Sequence, residues 1–257
     1  MSERLRLGFG PCAYDVTLEG GASAPRWADR YQSSVDASKR VEVRCVDALP
    51  ERAGPRDFRD DGYVASHGDD AHRVFVARGH EARWVVPFAA LVAQDAPSVG
   101  ALVVHCAAVR VDGGVALLLA KGGTGKSTFA RAAGARSFAH NAVIVDVEGD
   151  GGPRAWSLPF AGDPQPDLDA PGDARVRVVA LLERGDAPGF EWIPRPEATT
   201  SLARSCVRAP AVDPWARERF MLALALAARV AVGRIRTTRG PRDLESLDAA
   251  LSTENRP

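Results

Sequence analysis

Lysine is nearly absent from this chain. Of its 33 basic residues only Lys39, Lys121 and Lys126 are lysine, and two of the three fall within one nine-residue stretch. An excess of either charge is also missing, since 33 acidic residues balance the basic ones. That argues against a partner held by a global field, such as nucleic acid or an anionic membrane. Cysteine is scarce and dispersed. Cys12, Cys45, Cys106 and Cys206 contain no C-x-x-C pair, which speaks against a zinc site or a secreted disulfide framework and fits a reducing cytoplasm. No apolar run has membrane-spanning length. The longest, Phe220 to Val232, is interrupted by Arg229 and reads as a buried helix. Met1 to Arg6 has no signal-peptide apolar block, and no repeat or low-complexity tract occurs. The expectation is a soluble cytoplasmic protein whose 257 residues suffice for one large domain or two small ones.

What is present is a phosphate-loop pattern, Ala120-Lys121-Gly122-Gly123-Thr124-Gly125-Lys126-Ser127-Thr128. The apolar run Gly114 to Leu119 precedes it and a helical stretch, Phe129 to Ala133, follows, which is the strand–loop–helix setting such a loop requires. Glycines allow the backbone to curl so that successive N–H groups point at an anion. Gly122, Gly123, Thr124, Gly125, Lys126, Ser127 and Thr128 are therefore the expected nucleotide-binding residues, with Lys126 reaching the β- and γ-phosphates and the Ser127 hydroxyl on Mg²⁺. In an arginine-rich chain, two lysines in this loop indicate a need for a compact ammonium. The pattern usually opens with Gly, and Ala120 is a small departure.

The remaining sequence divides in two. Residues 1–92 read as β-rich, a possible peptide or partner docking region, and residues 93–257 as the nucleotide-binding domain. In the first part, Arg40 to Val46 alternates with period two, as a half-buried strand does. Tyr63–Ser66, Arg73–Arg78 and Arg83–Phe88 read as an antiparallel meander, and Leu49 to Asp61 as a loop. His67, Asp69, Asp70 and His72 read as a solvated hairpin turn rather than a metal site, because Gly68 and the flanking strands set a turn there. In the second part, a short helix is expected at Phe88–Ala93. A hairpin follows, Ala101–Val111 turning at Asp112-Gly113-Gly114, and leads into the phosphate loop. Beyond the loop come strands at Asn141–Val147, Arg175–Leu182 and Val230–Arg236, and helices near 215–232 and 244–251.

With these residues placed, the chain resembles the P-loop domain of the HPr serine kinase/phosphorylase superfamily, and in particular the shortened HPr-kinase-like proteins of peptide natural-product gene clusters. The resemblance runs in order through His105-Cys106-Ala107-Ala108-Val109, Asp112 to Val115, Gly122 to Thr128, Ala139-His140-Asn141-Ala142-Val143, Leu158-Pro159-Phe160-Ala161-Gly162 and Val178 to Arg184. It implies an α/β fold, with a mixed sheet around the phosphate loop preceded by a β-rich region. It also implies ATP and Mg²⁺ as cofactors, a peptide or small-protein acceptor, other enzymes of a biosynthetic cluster as partners, and possible homo-oligomers. Two departures stand out. Thr128 replaces the family's Glu, and His140-Asn141 occupies the place of a carboxylate pair, one member of which resembles a general base.

Three residues therefore compete for the acceptor side. His140 would titrate near neutrality as a base, or simply face solvent at a helix–strand junction. Asp146 would be a Walker-B-like Mg²⁺ partner for Ser127, or the polar end of a buried strand. His105 would touch phosphate, or fill the edge of the core. Arg234, Arg236 and Arg239 read as a basic surface strand before a phosphate or acidic-peptide contact. The two functional readings are an ATP-dependent kinase acting on a hydroxyl, and a nucleotide-binding, catalytically weak adaptor of a peptide-modifying pathway. A switch GTPase is disfavoured by the lack of a guanine-reading motif.

Overall fold

Both alternating segments, such as Arg40 to Val46, and unbroken apolar runs, such as Val115 to Leu119, become strands, and a computed structural model describes residues 2–25, 28–34, 36–37, 39–54, 56–159, 172–207, 214–238 and 242–252. Phe160 to Gly162 and Arg239 lie outside the described residues. The chain separates into two units, residues 1–99 with 208–216, and residues 100–207 with 217–257.

The first unit carries β1 (Glu3–Phe9), β2 (Cys12–Glu19), β3 (Lys39–Val46), β4 (Asp57–Asp60), β5 (Tyr63–Ser66), β6 (Ala71–Ala77) and helix α1 (Val85–Asp95). Its sheet runs in the order β1-β2-β3-β6-β5-β4. The β2–β3 and β3–β6 pairs are parallel, so the sheet is mixed, while the expected hairpin of Tyr63–Ser66 with Arg73–Arg78 forms as the antiparallel β5–β6 pair. Two other expectations fail, and with the second of them the meander loses its third strand. Leu49 to Asp61 is not all loop, because β4 pairs with β5. Arg83 to Phe88 is not a strand: it forms a short 3₁₀ turn, Glu81–Trp84, that leads into α1. Pro87 is tolerated because it lies in the first turn of α1, where its missing N–H has no intrahelical acceptor. Phe88, Leu91, Val92 and Asp95 then fall on one buried face. Phe88 packs on the edge of Tyr14 at 5.2 Å between ring centroids and on Trp84 at 5.5 Å. The Trp84 indole N–H donates to the Ser23 carbonyl at 3.1 Å.

The second unit contains β7 (Ala101–Val104), β8 (Ala107–Val111), β9 (Gly114–Leu119), α2 (Lys126–Ala132), β10 (Ser137–Ala139), β11 (Val143–Asp146), β12 (Arg154–Ser157), β13 (Asp173–Arg184), β14 (Gly189–Trp192), α3 (Arg195–Ser205), α4 (Ala216–Arg229), β15 (Ala231–Thr237) and α5 (Arg242–Ser252). Its sheet follows β10-β8-β9-β13-β12-β11-β7, with β15 pairing β13 and β14. The β9–β13 and β13–β15 pairs are parallel and the others antiparallel. This is a mixed α/β architecture. Both faces of β9 are covered, which explains its unbroken apolar sequence. Leu117 and Leu119 pack with Leu202 of α3 and Leu222 and Leu226 of α4. Ala116 and Leu118 pack on the opposite face with Phe129 of α2 and Leu244 and Leu247 of α5. Each such leucine contributes about 2 kcal/mol by leaving water, so the strand that delivers the loop is firmly seated. Among the described residues no helix is long and apolar enough to cross a membrane.

Candidate functional site

The loop begins where β9 ends at Leu119 and closes where α2 begins at Lys126. Gly123 has φ +77° and Gly125 φ +114°, both in the left-handed region that L side chains avoid. A Cβ at Gly123 would meet nothing within 4 Å, so backbone conformation rather than crowding requires glycine there. The Thr124 N–H donates to the Lys121 carbonyl at 3.3 Å. Lys126 folds back into the loop and its Nζ donates to the Ala120 carbonyl at 2.7 Å. The residue is 8% exposed. Burial pulls the ammonium below its ordinary pKa, with the Cys106 sulfur acting in the opposite sense. A buried cation with one carbonyl partner is an unfavourable arrangement that an added anion relieves.

Two of the three candidate acceptor-side residues approach this end of the sheet. Ala107 pairs with Leu118 at the loop end of β9, and Val104 pairs with Val143 at the start of β11. His105 therefore lies between β7 and β8, its N–H donating to the Ser205 carbonyl at 2.8 Å. Its imidazole is lowered in pKa by desolvation and by the Lys126 charge, while a hydrogen bond with the Asn141 backbone opposes them. Lys126, His105 and Asn141 are thus neighbours. His140 closes β10, its Nε2 3.0 Å from the Ser137 hydroxyl. Its Nδ1 is buried and lacks a partner among the described residues. Desolvation, and secondarily Arg131 of α2, lower its pKa. Both shifts favour the neutral imidazole.

Asp146 is placed elsewhere. The register sets it opposite Ala101 and Arg154, at the end of β11 away from Val143, which pairs with Val104 beside His105. The Asp146 carboxylate instead accepts the Glu148 and Gly149 N–H groups at 3.2 and 2.9 Å. The next residue, Val147, accepts a hydrogen bond from Arg229 at the end of α4. Asp146 thus caps a turn, at the opposite end of β11 from Val143 and His105.

On the β13 side of the loop lies an open cleft of about 740 Å³, lined by Leu119 to Thr124, Leu181 to Arg184, and Ser201, Arg204 and Ser205 of α3. Arg184 donates from Nη2 to the Gly123 carbonyl at 2.7 Å, holding the tip of the loop. Sequence reasoning passed over Arg184, although its strand is an apolar run ending abruptly in Glu183-Arg184. Arg234 is not a free surface cation. It forms ion pairs with Glu183 at 3.1 Å, with Glu191 at 2.6 Å and with Glu197.

The first unit holds a separate polar cluster. His67 and His72 are 3% and 0% exposed, so this pair is no solvated turn, while Asp69 and Asp70 do face solvent. Both imidazoles meet Asp95 of α1, His67 Nε2 at 2.8 Å and His72 Nε2 at 2.6 Å. Lys39 Nζ at 3.1 Å and the Tyr14 hydroxyl at 3.1 Å complete the shell. Two imidazoles and a carboxylate are the donor set of many metal centres, but the far sides of the rings decide otherwise. The Gly68 N–H donates to His72 Nδ1 at 3.2 Å, and Arg56 lies 3.4 Å from His67 Nδ1. Each Nδ1 therefore offers its lone pair, and each Nε2 carries the proton given to Asp95. Four donors around one carboxylate saturate it. Burial raises the Asp95 pKa, yet the histidine hydrogen bonds and the Lys39 charge outweigh it and hold the group well below the usual carboxylate range. The cluster is a hydrogen-bonding hub that ties α1 to β2, β3 and the β5–β6 turn.

No protein-family model and no curated protein sequence matches the chain.

Proposed function

We propose that the second unit binds Mg-ATP through Gly122 to Thr128 and transfers the γ-phosphoryl group to a hydroxyl of a peptide or small protein. The observation that supports this most directly is the loop itself, left-handed at Gly123 and Gly125 with the buried Lys126 ammonium resting on Ala120. In this reading the loop amides and Lys126 hold the β- and γ-phosphates, and Ser127 contributes a hydroxyl to the metal. Bound Mg²⁺ would neutralise charge on the phosphates. The acceptor oxygen attacks phosphorus, the bond to the ADP oxygen breaks, and the acceptor proton passes to a neutral imidazole. His105 and His140 both fit that role because their lowered pKa values leave a ring nitrogen free to accept it.

A second reading also has specific support. The carboxylate pair of the resembling kinases is replaced by His140-Asn141, and Asp146 lies at the other end of its strand. A nucleotide-binding adaptor with little or no transfer activity is consistent with that arrangement.

Both readings require that Mg-ATP raise the unfolding temperature and that Lys126→Ala remove the increase. At a ligand concentration 100 times Kd the gain is about 2.7 kcal/mol. An unchanged gain in the variant refutes both. Radiolabelled phosphate on a peptide, reduced about 10²-fold or more in His105→Ala or His140→Ala, selects the kinase. Tight binding without transfer selects the adaptor.

A further inference from the structure

We infer that the cleft between the end of β13 and α3 seats the nucleoside of the bound nucleotide, with the Arg184 guanidinium as the platform for its base. This rests on the phosphate-loop reading of residues 122–128. A polyphosphate wrapped by the loop has two flanks to choose between. On the β8 flank stand His105, Asn141 and His140, the groups suited to an acceptor. The β13 flank carries the cleft, which shares Leu119 to Thr124 with the loop and so is continuous with the phosphate position. Its volume of about 740 Å³ falls within the range of small-molecule sites, roughly 300–1,000 Å³.

The lining suits a nucleoside. Leu181 and Leu182 supply apolar wall, and Ser201 and Ser205 offer hydroxyls. Arg204 adds a cation, whereas the charge of Glu183 is balanced by Arg234 at 3.1 Å. Arg184 is the distinguishing feature. Its Nη2 is tied to the Gly123 carbonyl at 2.7 Å, so the orientation of the planar guanidinium is set before any ligand arrives. An oriented guanidinium stacks on an aromatic base with little further loss of freedom. The same bond makes the grip on the base sense the shape of the loop, because one side chain touches both.

The test compares Mg-tripolyphosphate with Mg-ATP by titration calorimetry on the full chain, using the wild type, Arg184→Ala, Ser201→Trp and Lys126→Ala. Ser201→Trp fills the cleft from α3 and changes no loop residue. The expected result is that wild type binds ATP about tenfold or more tighter than tripolyphosphate, an advantage of the size stacking supplies. Arg184→Ala and Ser201→Trp should erase that advantage while Ser201→Trp keeps its tripolyphosphate affinity within about twofold, which also shows that it is folded. Equal affinities for the two ligands in wild type, or a full ATP advantage in Ser201→Trp, overturn the inference and leave the loop reading standing. A Ser201→Trp protein that binds both ligands normally but no longer accepts peptide assigns the cleft to the acceptor instead. Failure of both ligands to bind wild type, or equal binding by Lys126→Ala, overturns the loop reading and this inference with it.

Discussion

Replacing Asp95 by alanine should destabilise the first unit by about 3–5 kcal/mol, the range found when one partner of a buried ion pair is removed. The magnitude follows from where the charges lie. The Asp95 and Lys39 side chains are 7% and 19% exposed, at 3.1 Å, so the small energies of surface salt bridges do not apply. Without the carboxylate, the Lys39 ammonium loses its anion, and the His67, His72 and Tyr14 donors lose their acceptor. An orphaned buried donor costs about 1–3 kcal/mol. Simple addition would exceed the range above, but relaxation and water entering the alanine cavity reduce the sum. Relative to total domain stabilities of about 5–15 kcal/mol, the loss is large enough to read directly. Urea unfolding followed by circular dichroism and by tryptophan fluorescence would measure it, with Trp84 reporting from beside Phe88 in this unit. Lys39→Met combined with Asp95→Ala should be less destabilising than the two single changes added together, by at least about 1 kcal/mol, because the pair is coupled. A loss below about 1 kcal/mol for Asp95→Ala, or strict additivity in the double variant, would show that the hub is not what holds α1 to the sheet.

The other predictions concern acid and the loop. Burial lowers the His72 pKa from its ordinary 6.5, and the Gly68 N–H occupies the nitrogen a proton would take. The neutral ring therefore contributes stability that is complete above pH 6.5 and is lost as pH falls below it. Unfolding temperatures at pH 7.5, 6.0 and 5.0 should fall in that order, and His72→Gln should flatten the decline; an equally steep decline in the variant counts against His72 as its source. Gly123→Ala should cost about 1–2 kcal/mol from its left-handed backbone alone, since the added methyl has open space around it. Chemical denaturation gives that number, and a variant as stable as wild type would refute the assignment of the φ angle.

Which parts were legible follows from whether the signal is local. The tight turn between β9 and α2 could be read because glycines fall at Gly122, Gly123 and Gly125 between an apolar run and a helical stretch, and two of them do take left-handed backbone. The strand at Arg40–Val46 shows through period-two alternation, but its parallel pairing with β6 leaves no trace in either segment. Val85 to Phe88 misleads because β-branched and aromatic residues favour strands. The helical spacing of Phe88, Leu91, Val92 and Asp95 was present and carries the opposite, correct message. His67 and His72 sit among Gly68, Asp69 and Asp70, a composition that says turn, while the acceptor that draws them inward lies 28 and 23 residues away. Asp146 ends an apolar run just as a metal-binding acid would. Only the register, which places it at the end of β11 away from Val143 and His105, separates the two cases.

Strand β13 has twelve residues, and its foot and its tip belong to different neighbourhoods. Arg175 and Ala174 pair with β12, while Val178 to Leu181 are flanked by β9 on one side and β15 on the other. Amide protons in that doubly flanked stretch can reach solvent only when the whole second unit opens, whereas those of β10, at the end of the sheet, escape by fraying. Deuterium uptake at Val178 to Leu181 is therefore a clock for global opening of the second unit. A ligand that merely stiffens the loop would leave its rate untouched, and one that stabilises the entire unit would slow it.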